Sequence, residues 1–216
     1  MTAPTASTTL DVIHPEGPLE GRARKLRAQL MLVSWLSYAG FYTTRKVFSV
    51  VKGPIKATLH LNDLGVSNLF TTYLVAYTIG QFTAAWLSQR LKNRTQLLIG
   101  MSVSALCNVA MAALLDAKAG FLALASVMFV HGIAQATGWP CNIGMMAAWT
   151  RQRERGRLMA IWATSYQLGS VFAKAIASFL FGALGLLWSF WGSSIVLGVV
   201  IVLFYFWGRE NPQTSG

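Results

Sequence analysis

Two adjacent cations, Arg45 and Lys46, lie inside the apolar and aromatic stretch GFYTTRKVFSV at residues 40–50. A cation in hydrocarbon costs about 2.5–3.5 kcal/mol on insertion scales, so its presence indicates a function or a specific partner. The guanidinium of Arg is a planar fork of N–H donors that matches phosphate or carboxylate oxygens. All seven acidic residues fall in predicted tails or loops, which leaves Arg45 without a carboxylate partner in the apolar segments. The pattern predicts an anion-binding site in a hydrated cavity.

Polar side chains recur at helical spacing around Arg45 and in three other apolar segments. The four stripes are Tyr38, Tyr42, Arg45 and Ser49; Tyr73, Tyr77 and Gln81; His131, Gln135, Gly138 and Asn142; and Gln167, Ser170, Lys174 and Ser178. Spacings of three and four residues place each set on one helix face. Lipid cannot satisfy these groups, so the stripes are expected to face a bundle interior or a cavity. The alternative is that they bond neighbouring helices, and His131 fits such a bond better than a proton relay.

The composition requires membrane-spanning elements to carry these stripes. Of 216 residues, 54% are hydrophobic and only 12% are charged, whereas soluble domains have about 25% charged residues. Because a spanning helix needs about 20 mostly apolar residues, six spans are predicted at 29–51, 66–88, 95–115, 121–149, 158–182 and 186–207. The predicted fold is an all-α membrane protein with three parts. Residues 1–28 form a disordered cytoplasmic tail, 29–207 a six-helix bundle, and 208–216 a cytoplasmic C-terminal segment.

The charge distribution predicts the orientation of these spans in the membrane. It also disfavours a nucleic-acid-binding protein. Most of the 18 Lys and Arg residues cluster at 22–27, 90–94 and 151–157, which lie on one side of the predicted bundle. The positive-inside rule then places both termini in the cytoplasm. A net charge of +11 can also indicate nucleic-acid binding, but cations confined to loops between apolar runs disfavour it. The sequence contains no pattern typical of an enzyme active site, a cofactor or a metal centre, so none of these is expected.

Several motifs together resemble the organophosphate:phosphate antiporter family of the major facilitator superfamily, which includes glycerol-3-phosphate and sugar-phosphate transporters. The resemblance is carried by YAGFYTTRKVFSVV at 38–51, GIAQATGWP at 132–140, RERGRLMAIW at 153–162 and ENPQTSG at 210–216. It implies the N-terminal six-helix half of that fold, with the first, second, fourth and fifth helices lining the path. It also implies exchange of a phosphorylated small molecule for inorganic phosphate by alternating access.

The resemblance implies a set of substrate-binding residues in this chain. Arg45 and Lys46 match an arginine–lysine pair that binds phosphate, and Tyr38 and Tyr42 match the aromatic residues that precede it. Gln81 and Tyr166 stand where the glycerol-phosphate branch has a lysine and a histidine, so Lys174 is a hypothetical replacement for the lost positive charge. With the stripe residues added, the predicted substrate-binding set is Arg45, Lys46, Tyr38, Tyr42, Gln81, Gln135, Asn142, Tyr166 and Lys174.

Alternatives remain open for the assembly and for the activity. The family has twelve helices, so the chain is expected either to be half of a longer protein or to work as a homodimer with two copies of Arg45. The activity is either transport or, as in some members of the family, sensing of a sugar phosphate without net transport. An inactive six-helix remnant is the third hypothesis. The expected location is a bacterial inner membrane, with phosphate and a phosphate ester as ligands.

Overall fold

The computed structural model describes residues 21–210, and within that range every regular element is a helix. The helices, numbered here in chain order, are α1 Gly21–Thr58, α2 Asp63–Leu87, α3 Asn93–Asp116, α4 Phe121–Ala136, α5 Gly138–Trp149, α6 Gln152–Leu184 and α7 Leu186–Trp207. The predicted all-α bundle is confirmed. Residues 1–20 and 211–216, which include most of the predicted tail and of the C-terminal segment, lie outside the described residues.

The first helix is longer at both ends than its predicted span of 29–51. It begins at Gly21, within the predicted tail, and its basic run is joined to the start of α6 where Arg27 donates a hydrogen bond to Glu154. That hydrogen bond and the charge of Arg27 hold the pKa of the Glu154 carboxyl below its usual range. At the other end Val51 leaves helical geometry (φ −103°, ψ 16°), and the helix continues beyond it to Thr58. Pro54 causes this kink, because proline disrupts the turn that precedes it.

The predicted fourth span at 121–149 consists of two helices, α4 and α5. The break falls at Thr137, although this residue keeps near-helical angles (φ −67°, ψ −22°). Pro140 has no N–H to donate to the carbonyl of Ala136, so the hydrogen-bond ladder is interrupted at that point. The two helices still follow one path, and together they form a single apolar segment of 29 residues, Phe121–Trp149.

Two glycines have clear structural roles, one in a close helix contact and one in a tight turn. A Cβ atom on Gly132 of α4 would lie 2.8 Å from the Cβ atom of Ala76 and would also contact the carbonyl oxygen of Tyr73. The α2 and α4 backbones can therefore meet only because residue 132 has no side chain. Gly185 alone joins α6 to α7 with φ of 92°, a conformation that residues with a side chain rarely adopt.

Four of the described segments are long and apolar enough to cross a membrane by length and composition. They are Asn93–Asp116, Phe121–Trp149, Gln152–Leu184 and Leu186–Trp207, with mean hydropathies of 2.0, 1.5, 1.4 and 2.2. The helices α1 and α2, with 38 and 25 residues, are long enough but do not meet the same criterion. Both carry predicted polar stripes, which lower their mean hydropathy.

Hydrogen bonds join the C-terminal end of α7 to the start of α3. The carboxylate of Glu210 accepts hydrogen bonds from the backbone N–H groups of Asn93 at 3.0 Å and Arg94 at 2.7 Å. The guanidinium of Arg94 in turn donates to the carbonyl oxygens of Gly208 at 2.7 Å and Tyr205 at 2.6 Å. A carboxylate at a helix N-terminus and a cation at a helix C-terminus each complement the helix dipole. The segment after α7 is therefore docked as far as Glu210.

Candidate anion-binding site

Arg45 of α1 is held between two aromatic rings and an amide. Its Cζ atom lies 4.9 Å from the ring centroid of Tyr42 and 4.8 Å from that of Tyr77 on α2. Its Nε–H donates to Oε1 of Gln135 on α4 at 3.2 Å. Nη2 is buried and makes no hydrogen bond of good geometry; the hydroxyl of Tyr73, an acceptor that lies close to the guanidinium, makes none either. A buried guanidinium nitrogen with an unused donor is suited to bind an anionic oxygen.

Gln135 connects Arg45 to the packing between α1 and α4. The side chain is completely buried, and its Nε2 donates to the hydroxyl of Thr44 at 2.9 Å and to the carbonyl oxygen of Phe41 at 3.2 Å. Nε2 also lies 3.1 Å from Nε2 of His131, one helical turn earlier on α4. The position of the Arg45 head group is thus set by a hydrogen-bonded chain that begins in the core.

Two lysines add positive charge around Arg45. Lys46 is half-buried, and its Nζ lies 5.6 Å from the ring centroid of Tyr42. Lys174 is exposed on α6, close enough to repel Lys46 electrostatically. Within residues 21–210, none of these three cations forms an ion pair with a carboxylate. Cations gathered without acidic partners favour an anion from solution.

An open groove of about 210 Å³ between α1 and α2 exposes this charge. Its polar lining consists of Arg45, Lys46 and Ser49 from α1 and Tyr73 and Tyr77 from α2. The two stripes predicted on the first and second spans therefore face each other across one groove. Their cations and hydroxyl groups can donate hydrogen bonds to the oxygens of a phosphate group. Tyrosine rings also make cation–π contacts with both Arg45 and Lys46.

An aromatic cluster extends the site from Tyr42 towards α5 and α6. The ring centroid of Tyr38 lies 5.7 Å from that of Tyr42, 5.6 Å from Trp139 and 5.1 Å from Trp162. Trp162 is fully buried, whereas Trp139 is 38% exposed. The two tryptophans were not among the predicted site residues, although they lie within the GWP and RERGRLMAIW motifs. A search for polar spacing overlooks them because they count as apolar.

The remaining predicted residues take different positions. Asn142 is completely buried: its Oδ1 accepts from Ser37 at 3.0 Å and its Nδ2 donates to the Gly138 carbonyl at 2.8 Å. The bond to Ser37 joins α5 to α1, whereas the bond to Gly138 lies within α5, so both polar atoms are already used. Gln81 is half-buried on α2 and Tyr166 is 38% exposed on α6, and neither shows a hydrogen bond to the Arg45 cluster.

Tyr77 and Thr44, which contact Arg45 and Gln135, were among the nearby residues missing from the predicted set. Tyr77 stacks on the guanidinium, and its stripe on the second span was visible in the sequence. Thr44 donates to the Phe41 carbonyl at 3.2 Å and accepts from Gln135, so it helps to orient the amide. No spacing rule identifies Thr44, because it adjoins Arg45 in sequence and lies on a different face of α1.

The fold and the site together define an integral membrane protein whose interior presents cations to a groove. The model of the Major Facilitator Superfamily matches residues 31–216, and the chain belongs to this family. In the solved structures, the fold is similar to a crystal structure of an auto-inhibited POT family peptide transporter. That match has a TM-score of 0.61 and 16% identity, over 85% of this chain and 37% of the other.

Curated relatives confirm the resemblance to phosphate-ester transporters of this superfamily. The chain is 28% identical to the glycerol-3-phosphate transporter of Haemophilus influenzae, over 94% of this chain and 45% of that protein. It is 26% identical to the membrane sensor protein UhpC of Escherichia coli, over 92% of this chain and 44% of that protein. The chain therefore spans less than half the length of these relatives.

Proposed function

We propose that this chain takes part in moving a phosphorylated small molecule across a membrane in exchange for inorganic phosphate. The observation that carries the proposal is the placement of Arg45 in one groove with Lys46, where no described lining residue is a carboxylate and Nη2 of Arg45 makes no hydrogen bond. A relative named as a glycerol-3-phosphate transporter supports the same ligand class. In this proposal Arg45 binds the phosphoryl oxygens bidentately, and Lys46 and Lys174 contribute charge.

The other predicted residues have supporting roles in this proposal. Tyr38 and Tyr42 form the aromatic wall beside the guanidinium, and Gln135 orients Nε of Arg45. Gln81 and Tyr166 are proposed to contact the organic part of the ligand, because their positions differ from the cluster that would hold phosphate. Asn142 acts through the α1–α5 contact, since both of its polar atoms are already bonded.

The open side of the site suggests a second wall in the assembled protein. Tyr166 and Lys174 are exposed on α6, and the groove between α1 and α2 is open. We propose that a second six-helix unit, either another copy of the chain or a C-terminal half, faces these residues. The basic loops point to the cytoplasm in this arrangement, so both ends of the chain are cytoplasmic. A bacterial inner membrane is the proposed location.

The alternative function is sensing of a sugar phosphate without net transport. The specific support is the similarity to UhpC, which is named a membrane sensor protein. Both functions need the same anion site, so binding alone does not separate them. They differ in whether bound phosphate crosses the membrane.

Exchange in proteoliposomes tests the proposal. Vesicles that hold the purified chain and unlabelled phosphate are given labelled phosphate outside, with and without external sugar phosphates. Saturable exchange that Arg45→Ala abolishes would support transport and would show that copies of this chain suffice. Phosphate binding without exchange would favour sensing. If the folded chain neither binds nor exchanges phosphate, the anion-site proposal is wrong.

A further inference from the structure

Lys52, Lys56 and Asp63 lie beyond the groove between α1 and α2, at the end where α1 stops and α2 begins. Lys52 follows the lining residue Ser49 by about one helical turn, and Lys56 lies a further turn along α1. On α2, Asp63 precedes the lining residue Phe70 by about two turns. We call these three charged residues the mouth of the groove.

The contacts within the mouth leave one of its positive charges unbalanced. Nζ of Lys56 donates to Oδ1 of Asp63 at 2.6 Å, which forms an ion pair between α1 and α2. Lys52 is exposed, and although it follows the kink at Val51 it lies close enough to Asp63 to interact with it electrostatically. In the described part of the chain, however, Lys52 forms no ion pair. Two lysines and one carboxylate therefore give the mouth a formal net charge of +1.

The mouth and Arg45 lie along the same side of α1. Positions 45, 49, 52 and 56 follow one another at intervals of four, three and four residues, a spacing that keeps them on one helix face. With a rise of about 1.5 Å per residue, Lys52 lies about 10 Å beyond Arg45 along the axis. No described residue that lines the groove is Asp or Glu, so no carboxylate opposes an anion that moves from Lys52 towards Arg45.

We propose that the mouth collects phosphate-bearing anions and that its net charge sets the rate at which they reach Arg45. This inference rests on the proposed anion site. A charge beside an open groove raises the local concentration of ligands of opposite charge and so speeds their association. Lys52 lies outside the groove, so it should affect association much more than dissociation. Asp63 has the opposite effect, because its carboxylate offsets one of the two lysines.

Substitutions that change charge but keep side-chain size test this inference. Lys52→Gln lowers the charge of the mouth by one unit, Asp63→Asn raises it by one, and the double variant restores it. Lys92→Gln is the matched control, because Lys92 is also exposed but lies beyond the other end of α2. Lys52→Gln and Lys92→Gln therefore have the same total charge, and they differ only in where the charge is lost.

The quantity to measure is the association rate constant of the purified chain for inorganic phosphate. Exchange broadening in phosphorus NMR gives the dissociation rate constant, titration calorimetry gives Kd, and their ratio gives the association rate constant. Both are measured at about 0.01 M ionic strength, where the Debye length is about 30 Å, and at about 1 M, where it is about 3 Å. This comparison separates attraction over a distance from direct contact with the bound anion.

At low ionic strength, Lys52→Gln should bind phosphate about two- to fivefold more slowly than the wild type. Asp63→Asn should bind it faster by a similar factor, and the double variant should return to the wild-type rate. Lys92→Gln should associate as the wild type does. At about 1 M ionic strength all of these differences should disappear, because the charges of the mouth are then screened.

Equal association rates for Lys52→Gln and Lys92→Gln would overturn the inference while leaving the anion site in place. A defect of Lys52→Gln that persists at high salt, or that appears in the dissociation rate, would also overturn it, because Lys52 would then contact the bound anion. If Asp63→Asn does not fold, Lys56→Gln replaces it and should slow association as Lys52→Gln does; an unchanged rate would refute the role of the net charge. If the folded wild-type chain binds no phosphate, the proposed function fails and this inference fails with it.

Discussion

Replacing Arg45 by lysine separates the geometry of the anion site from its charge. The substitution keeps one positive charge on α1 but removes the planar fork and the Nε–H that bonds Gln135. Arg45→Lys should therefore bind inorganic phosphate more weakly even though the net charge of the site is unchanged. The buried Nη2 of Arg45, which has no protein partner, is the donor whose loss matters most.

The size of the effect follows from the hydrogen bonds lost. A hydrogen bond to a charged group contributes about 1.5–3 kcal/mol, and a lysine can supply one of the two parallel bonds of a bidentate pair. Loss of the other predicts a phosphate affinity about 10- to 150-fold weaker. The cation–π contacts with Tyr42 and Tyr77 should change less, because an ammonium group also interacts with aromatic rings.

Titration calorimetry of the purified chain with inorganic phosphate measures this difference. Arg90→Lys is the matched control, because Arg90 is exposed in the loop after α2 and its Cζ lies 4.5 Å from the ring centroid of Trp86. The control should bind phosphate as the wild type does. Arg45→Lys that folds and binds within about twofold of the wild type would refute bidentate binding, since a point charge would then suffice.

Two further predictions concern charges at the edge of the bundle. Lys174→Ala should weaken phosphate binding by up to about fivefold at low ionic strength and by less at high salt, because exposed charge pairs contribute about 0.2–1 kcal/mol and are screened. If Lys174→Ala and the control Lys118→Ala bind phosphate equally well, Lys174 is not part of the site. The hydrogen bond and charge of Arg27 lower the pKa of Glu154 in the folded chain. The resulting stabilisation is therefore fully present above the unfolded carboxyl pKa of about 4.3. It is lost as the pH falls through the lower pKa of the folded state. Thermal unfolding of Glu154→Gln should thus depend less on acid pH than that of the wild type, and identical pH profiles would contradict the pairing.

The elements of the bundle were largely predictable because the bilayer restricts them. A spanning helix needs a long apolar run, and a polar group inside it needs a partner, so composition and spacing together indicate both the helix and its buried face. The stripes of Arg45 and Tyr77 were predicted in this way, and they face each other across one groove in the structure. The boundaries were less predictable. The kink caused by Pro54 left α1 helical as far as Thr58, and Pro140 divided the fourth span without redirecting it.

The contacts that join distant parts of the chain could not be predicted. The carboxylate of Glu210 caps α3 through Asn93 and Arg94, more than 100 residues earlier, and no local pattern indicates that pairing. The same holds for Arg27 and Glu154, which belong to separate basic segments. Side-chain partners of this kind depend on helix rotation and separation, which one-dimensional spacing does not specify.

The sequence by itself determined the membrane class and the helical content, and it placed the cation of Arg45 inside an apolar segment. These properties depend on residue type and period, because hydrocarbon excludes unpaired polar groups and charges. The tertiary structure decided which groups meet Arg45. Gly132 lets α2 and α4 approach, and that approach brings Tyr77 and Gln135 to the same guanidinium. That packing surrounds the head group with two rings and one amide, and it leaves Nη2 of Arg45 and the nearby hydroxyl of Tyr73 without a hydrogen bond.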